Sequence, residues 1–444
     1  MKKLSTLKSA RAVALQTLIR VLDDNSYSNI SLNNNLIKSN LSQADQNFAA
    51  RIVYGTIQEK IYLEYQLRRL IKTKLKENYL YPLLLLSAYQ IFFMDSVPNR
   101  AVLNEANKLA KEFGKKHSVG YKIVNGILHS LIRQGSVLPS VKDKIDYLSV
   151  KESTPKWLVS YLISHWGEQR AAKILASINK SAKNTVRVSH LAEQKLVKEN
   201  LTNLGFAPID SEIANDELIL AHGGVFKTQL FHEGKLTIQD EAASLAVSAF
   251  NFSGNEKVLD ACSAPGGKTV QIAENLPQGQ VTALDIHEKK LNLVLANSRR
   301  MNVASKVLVK PLDARKADTV FDKGEFAKIL VDAPCSGLGL IRRKPEIRYT
   351  KTKSDLINLQ RIQLEILDHI SSLISAGGEL VYSTCTITKE EDEDVVKSFL
   401  ETHSQFELQP FTAGKLSAPS GMLKILPDSY DSDGFFIAKF IVRG

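Results

Sequence analysis

The sequence predicts three structural parts. They are an all-α domain over residues 1–140, a small α+β linking domain over 141–235 and an α/β domain over 236–444. Three observations carry the division. Apolar residues near the start recur at helical spacing, and only five of the 23 glycines lie in the first 150 residues. From residue 236 onward, short apolar runs alternate with helical stretches and 13 glycines fall there, the pattern of a mainly parallel sheet covered by helices. The charge is divided too. Residues 1–150 hold 22 Lys and Arg against 11 Asp and Glu, while residues 236–444 hold 25 against 27.

The whole surplus of +11 therefore sits in the N-terminal third. Such a surplus suggests a polyanionic partner and says nothing about fold. The 444 residues carry 44% hydrophobic and 24% charged side chains, ordinary values that argue against a mostly disordered chain. No run of 18 apolar residues exists, so no transmembrane helix and no membrane partner are expected. The basic start resembles a secretory leader, but Gln16, Thr17 and Arg20 interrupt its apolar stretch. Ala10, Ala14, Leu18, Val21 and Leu22 instead mark one helical face. Three cysteines without a CxxC pair offer neither a disulfide scaffold nor a zinc site, so a reducing, cytoplasmic setting without bound metal is expected.

In the first part, Leu63, Leu67, Leu70 and Ile71 form one stripe. Leu103, Ala106, Leu109 and Ala110 form a second, and Ile123, Ile127 and Leu131 a third. The stretch Tyr81 to Leu86 is apolar nearly all round and predicts a central buried helix. Leu86-Ser87-Ala88-Tyr89-Gln90, Val97-Pro98, Asn104-Glu105-Ala106, Phe113-Gly114 and Val124-Asn125-Gly126-Ile127-Leu128 follow one another in an order that resembles the NusB family of RNA-binding helical domains. Asp45-Gln46-Asn47-Phe48 and Val53-Tyr54-Gly55 fit the same family. The resemblance covers most of residues 5–135 and implies RNA binding.

The second part opens with a helical patch from Pro155 through Trp166, followed by a strand at Thr185–Val188, a helix at 192–201 and a strand at Leu218–Leu220. It shows no clustered catalytic groups; His190, His222 and His232 read as surface or packing residues.

The third part has strands at Val258–Asp260, Val281–Asp285, Val307–Val309, Ile329–Asp332 and Leu380–Ser383. Several end in acidic or small polar residues, at the sheet edge where open α/β folds bind ligands. Cys262, Ser263, Ala264, Pro265, Gly266, Gly267 and Lys268 follow the first strand and open a helix. Cys262 stands where a P-loop needs its first glycine, and no G-x-G-x-x-G is present, so neither a nucleoside triphosphate nor a nicotinamide fits. S-adenosylmethionine fits better. Asp285 ends the second strand and can accept from ribose hydroxyls, Asp313 follows the third near the adenine, and amides at the helix start can meet a carboxylate.

Cys335 follows the fourth strand beside Asp332, and Cys385 ends the fifth. A lone cysteine is most often a small buried apolar residue. Two at equivalent sheet ends, one beside an aspartate, point to chemistry, although spacing does not choose between them. Cys262 reads as packing or a backbone contact.

Val258–Thr269, Asp332–Ser336 followed by Ile341–Glu346, and Gly377–Cys385 resemble the motifs of the Sun/RsmB family of RNA cytosine-5 methyltransferases, in the NOL1/NOP2/Sun group. Ser263 and Leu312 depart slightly from the family pattern. The resemblance implies a Rossmann-like class I fold, S-adenosylmethionine as cofactor and small-subunit (16S) rRNA as substrate, at the cytosine numbered 967. It assigns Cys385 as the nucleophile toward C6, Cys335 to product release and Asp332 to base activation. A thiolate on C6 makes C5 enamine-like, which splits one hard step into two easier ones. The base must be unstacked, so single-stranded or flipped RNA is expected, bound by a monomer. Arg342, Arg343 and Lys344, with Arg348, Lys351 and Lys353, are candidates for phosphate contacts, and Glu390–Asp394 reads as acidic pairing with a helix dipole. The same chemistry on tRNA, a non-catalytic rRNA-binding or assembly factor, and an antitermination module are the competing readings.

Overall fold

The computed structural model describes residues 9–24 and 28–443. Residues 1–8 of the basic start lie outside them, and the stretch that follows forms helix Ala10–Asp24 with Ala10, Ala14, Leu18 and Val21 buried, as its apolar face predicts. The chain divides into two compact units, 1–179 with 344–350, and 180–343 with 351–444. This differs from the expected boundaries near 140 and 235.

The first unit is helical. Ser42 caps helix Gln43–Gln58 through its Oγ, which accepts from Asp45 N at 3.2 Å. Helix Leu80–Phe93 is the central element, with Leu83, Leu84 and Leu85 fully buried. Each such leucine stabilises the fold by about 1.5–3 kcal/mol. The third expected stripe is rotated. In helix Gly120–Gln134 the buried side chains are Val124, Leu128 and Leu131, while Ile123 and Ile127 are half-buried. The boundary moves beyond 140 because polar anchors hold the following chain to this bundle. Gln66, fully buried, takes both backbone groups of Val137 (2.7 and 3.0 Å), and Ser153 Oγ accepts from Ile61 N at 3.0 Å. Helices Lys144–Lys151 and Lys156–Ser177 therefore belong here, the latter kinked at Gly167. Residues 344–350 complete the unit. Arg348 is fully buried and donates to Ser153 O and Asn179 Oδ1, both at 3.0 Å, and Glu346 accepts from Ser28 Oγ at 2.8 Å.

The second unit contains a four-stranded antiparallel sheet and an eight-stranded mixed sheet. The large sheet runs in the order Phe406–Leu408, Phe435–Val442, Ile374–Thr384, Phe326–Asp332, Lys257–Asp260, Gln280–Asp285 and Val307–Pro311, with Met422–Ile425 paired to Phe435–Val442. The five expected strands are present and parallel. The antiparallel Phe435–Val442 was not foreseen. It inserts beside Ile374–Thr384 and is buried along most of its length. The small sheet, Asn184–Val188 to Leu236–Ile238, is part of this unit because a buried polar cluster locks it to the helix after the cofactor loop. Arg187 and Glu274 form an ion pair with both side chains at 0% exposure. Ser189 Oγ donates to Glu274 at 2.9 Å and Arg187 Nε to Gln239 Oε1 at 2.9 Å. Burying a charge pair requires such added hydrogen bonds.

No helix among the described residues is long and apolar enough to cross a membrane.

Candidate active site

The site is built at the C-terminal ends of the parallel strands. Phe326–Asp332 and Ile374–Thr384 are neighbours, with Asp332 opposite Ser383. Cys335 lies three residues past the first strand and Cys385 one past the second, so the register brings their sulfurs to 3.3 Å. Asp332 ends the strand that leads to Cys335. Ser383 Oγ donates to its Oδ1 at 2.9 Å and Lys268 Nζ to its Oδ2 at 2.7 Å.

Lys268 was expected among the cofactor-loop residues, and the structure shows it also paired with Asp332. Burial disfavours its charge, but the adjacent Asp332 carboxylate outweighs that effect and holds the ammonium above its ordinary value. The Cys335 thiol is held well above its ordinary range by its hydrogen bond to Cys385 and by burial. The two sulfurs share one hydrogen bond, in which either can donate. Cys262 is also raised, chiefly by burial; it packs against the apolar cluster that contains Leu259 and Leu284 and also lines the cofactor-loop cleft.

The cofactor loop makes a cleft of about 130 Å³ lined by Asp260, Ala264, Pro265, Gly267, Lys268 and Asp332. Gly266 takes φ +104°, and a Cβ there would lie 2.9 Å from Val294 Cα, so only glycine fits. Gly267 starts helix Gly267–Glu274 and faces open space, which leaves its backbone accessible. Ser263 also lines the cleft and ties the loop to Leu284 O through both its N–H (2.8 Å) and its Oγ (2.9 Å). Asp260 is buried, accepts from Thr269 Oγ1 at 2.6 Å and keeps Oδ1 without a partner; burial raises its carboxyl to about 7.

Asp285 ends its strand, half-buried, with the exposed Ile286 next in sequence and Pro311 beside it. Asp313 is gripped by Arg315, whose Nη2 lies 2.7 Å from Oδ2, and this holds its carboxyl below the usual range. These residues suit S-adenosylmethionine. The orphaned Asp260 oxygen and the Asp285 and Asp313 carboxylates accept hydrogen bonds, the helix start offers amides, and Ile286 offers an apolar face for a purine.

The basic run after Cys335 does not form the expected phosphate-binding patch. The Arg342 side chain is 1% exposed and donates to Pro427 O (2.6 Å) and Asp431 O (2.8 Å). Arg343 joins Asp240 (2.6 Å) and Asp433 (2.5 Å). Arg348 is buried in the first unit, and only Lys344 of the proposed triplet is exposed. A guanidinium removed from water needs fixed partners, and these two arginines have them inside the fold.

The acidic run also departs from expectation. Its helix is Glu393–Thr402, whereas Glu391 and Asp392 are fully buried before it. Glu391 accepts from Ser336 N (2.7 Å), Gln363 Nε2 (3.2 Å), Thr388 Oγ1 (2.9 Å) and Thr386 Oγ1 (3.3 Å). Asp392 accepts from Thr384 Oγ1 at 2.5 Å beside Lys424, and burial pushes its carboxyl up to about 8. Five acidic residues starting four positions past a Thr-Cys-Thr, in a chain whose surplus charge is basic, were the available signal.

Residues 247–441 match the family described as 16S rRNA methyltransferase RsmB/F, and residues 8–133 match the NusB family. The chain is 37% identical to the probable ribosomal RNA small subunit methyltransferase B of Bacillus subtilis (strain 168), over 98% of this chain and 99% of that protein. It is 31% identical to the probable ribosomal RNA small subunit methyltransferase B of a Synechocystis strain, over 97% and 98%. The crystal structure of PH0851 shares the fold with a TM-score of 0.82 at 24% identity, covering 99% of this chain and all of that one. The chain therefore belongs to the S-adenosylmethionine-dependent RsmB family of small-subunit ribosomal RNA methyltransferases, with a NusB-like helical region ahead of the Rossmann-like catalytic fold.

Proposed function

We propose that the chain methylates C5 of a cytosine in small-subunit rRNA through a covalent bond between Cys385 Sγ and C6 of the base. The observation that carries this reading is the 3.3 Å approach of two thiols beside Asp332. S-adenosylmethionine, when bound, supplies an electrophilic methyl group. Asp260, Gly267, Asp285 and Asp313 hold it, and Asp332 meets the edge of the unstacked cytosine.

Cys385 is the nucleophile by the family resemblance, as the thiol of the Thr384-Cys385 motif, and the nucleophilic form of a thiol is its thiolate. The Cys385 thiolate adds to C6 and makes C5 nucleophilic. Once C5 bears the methyl group, its proton passes to solvent with the assistance of Cys335, the electron pair left behind re-forms the C5–C6 double bond, and Cys385 leaves as a thiolate. Cys335 then hydrogen-bonds the departing sulfur and stabilises it. The position numbered 967 is the target implied by the family resemblance. The N-terminal helical region, which holds the charge surplus, positions the RNA through phosphate contacts.

The test uses two variants and a small-subunit rRNA fragment. Cys335→Ala accumulates a denaturant-resistant protein–RNA adduct, and Cys385→Ala neither methylates nor crosslinks. An adduct that persists in Cys385→Ala reverses the assignment of the thiols. Bisulfite mapping of rRNA from deletion and complemented strains tests the target, and identical maps refute it.

A further inference from the structure

We propose that Glu391 is a positioning residue that couples the two thiol loops and sets the alignment of Cys335 against Cys385. The proposal rests on the two-thiol reading above. Its basis is one carboxylate shared between the residues that immediately follow the two cysteines. Oε2 accepts from Ser336 N at 2.7 Å, directly after Cys335. Oε1 accepts from Thr386 Oγ1 at 3.3 Å, directly after Cys385, and from Thr388 Oγ1 at 2.9 Å. Ser336 Oγ and Thr386 Oγ1 close the ring at 2.8 Å.

Two further elements hold the carboxylate in place. Gln363, from helix Lys353–Ser371, donates to Oε2 at 3.2 Å and to Pro334 O at 3.0 Å. Tyr382 donates its hydroxyl to Glu391 O at 2.6 Å. Glu391 is at 0% exposure, so these bonds operate without competition from water. Backbone bonds tie these loops at Ala333 N to Ser383 O (2.9 Å) and at Gly339 N to Cys385 O (3.0 Å), and the Glu391 carboxylate adds a side-chain bridge at the residues next to the two thiols. A rigid acceptor bridging both is a physical means of holding two sulfurs at 3.3 Å through a reaction that must break one bond and re-form another.

The carboxylate also affects the chemistry by its charge. The groups facing Cys335 are Cys385, Glu391 and Tyr382, and the charge of Glu391 helps keep the Cys335 thiol protonated. Glu391→Gln keeps size and one acceptor but removes that charge.

The experiment measures three quantities on the full chain. In Glu391→Gln, methylation kcat falls about 10- to 100-fold, the scale expected for a misplacement near 1 Å, while KM for the rRNA fragment stays within about twofold. The pH profile of Cys335 alkylation by iodoacetamide, followed by mass spectrometry, moves to lower pH. Thr388→Val, which keeps the charge and loses one bond, lowers kcat less and leaves the alkylation profile in place. Should Glu391→Gln fail to fold, the kcat of Thr388→Val decides. An unchanged kcat in either folded variant, or a change confined to KM, overturns the proposal. The alkylation profile involves no RNA, so it is read even if Cys335→Ala shows no adduct and the two-thiol reading itself falls.

Discussion

Arg343→Met separates a structural role for this arginine from RNA contact. In the fold its guanidinium joins Asp240 and Asp433, whose side chains are 12% and 2% exposed. Removing one partner of a buried ion pair costs about 3–5 kcal/mol because a charge is left uncompensated. The Arg343 side chain is 31% exposed, so solvent screens part of the loss and about 3 kcal/mol is the better figure. For a unit of this size that is roughly 6–12 °C in Tm.

The cost depends on pH. Burial and the neighbouring Asp240 raise the Asp433 carboxyl to about 7, against an ordinary value of 3.8. A raised carboxyl contributes stability that is fully present below the ordinary value and is lost as pH rises through about 7. At pH 8 the variant must hold two unpaired carboxylates near each other, whereas at pH 5.5 Asp433 carries a proton in both proteins. The deficit is therefore largest at pH 8 and smaller at pH 5.5. Thermal unfolding at the two pH values measures it. RNA affinity against salt is measured in parallel, and its slope is expected to stay unchanged. An unchanged Tm together with a slope reduced by about 0.7–0.9, the signature of one lost phosphate contact, refutes the structural assignment.

Other outcomes are equally specific. Lys72, Lys74 and Lys76 are exposed on the basic helical unit, and replacing all three with glutamine lowers the salt slope of rRNA binding by about 2 without altering S-adenosylmethionine affinity; an unchanged slope removes this segment from the RNA path. Gly266→Ala places a methyl group 2.9 Å from Val294 Cα at φ +104° and lowers Tm by several degrees, with cofactor affinity reduced about tenfold or more by calorimetry. Gly267→Ala, with nothing within 4 Å, keeps the wild-type Tm, and equal Tm values for the two alanine variants contradict the steric account.

Much of this protein was legible in the chain itself. Periodicity is local, so the helical region, the five parallel strands and the Leu80–Phe93 core helix could be read from spacing. Motifs are local too, and the loop from Cys262 to Lys268, the Asp332–Cys335 turn and Cys385 stand together at one sheet edge as expected. Strand Phe435–Val442 was missed. Its buried apolar run says little about direction, and an antiparallel strand beside Ile374–Thr384 is a non-local choice.

The roles of charged side chains were decided only by the tertiary structure. Arg342, Arg343 and Lys344 look alike in sequence, yet two are tied to acids and carbonyls from residues about 85–103 positions away, and one is exposed. Glu391 reads as one more acid near a helix start until Ser336, Gln363 and Thr386 close around it. Sequence states which charges exist. Whether a charge is solvated, paired or buried depends on what the fold brings to within 3 Å of it, and that is set by packing across the chain rather than along it.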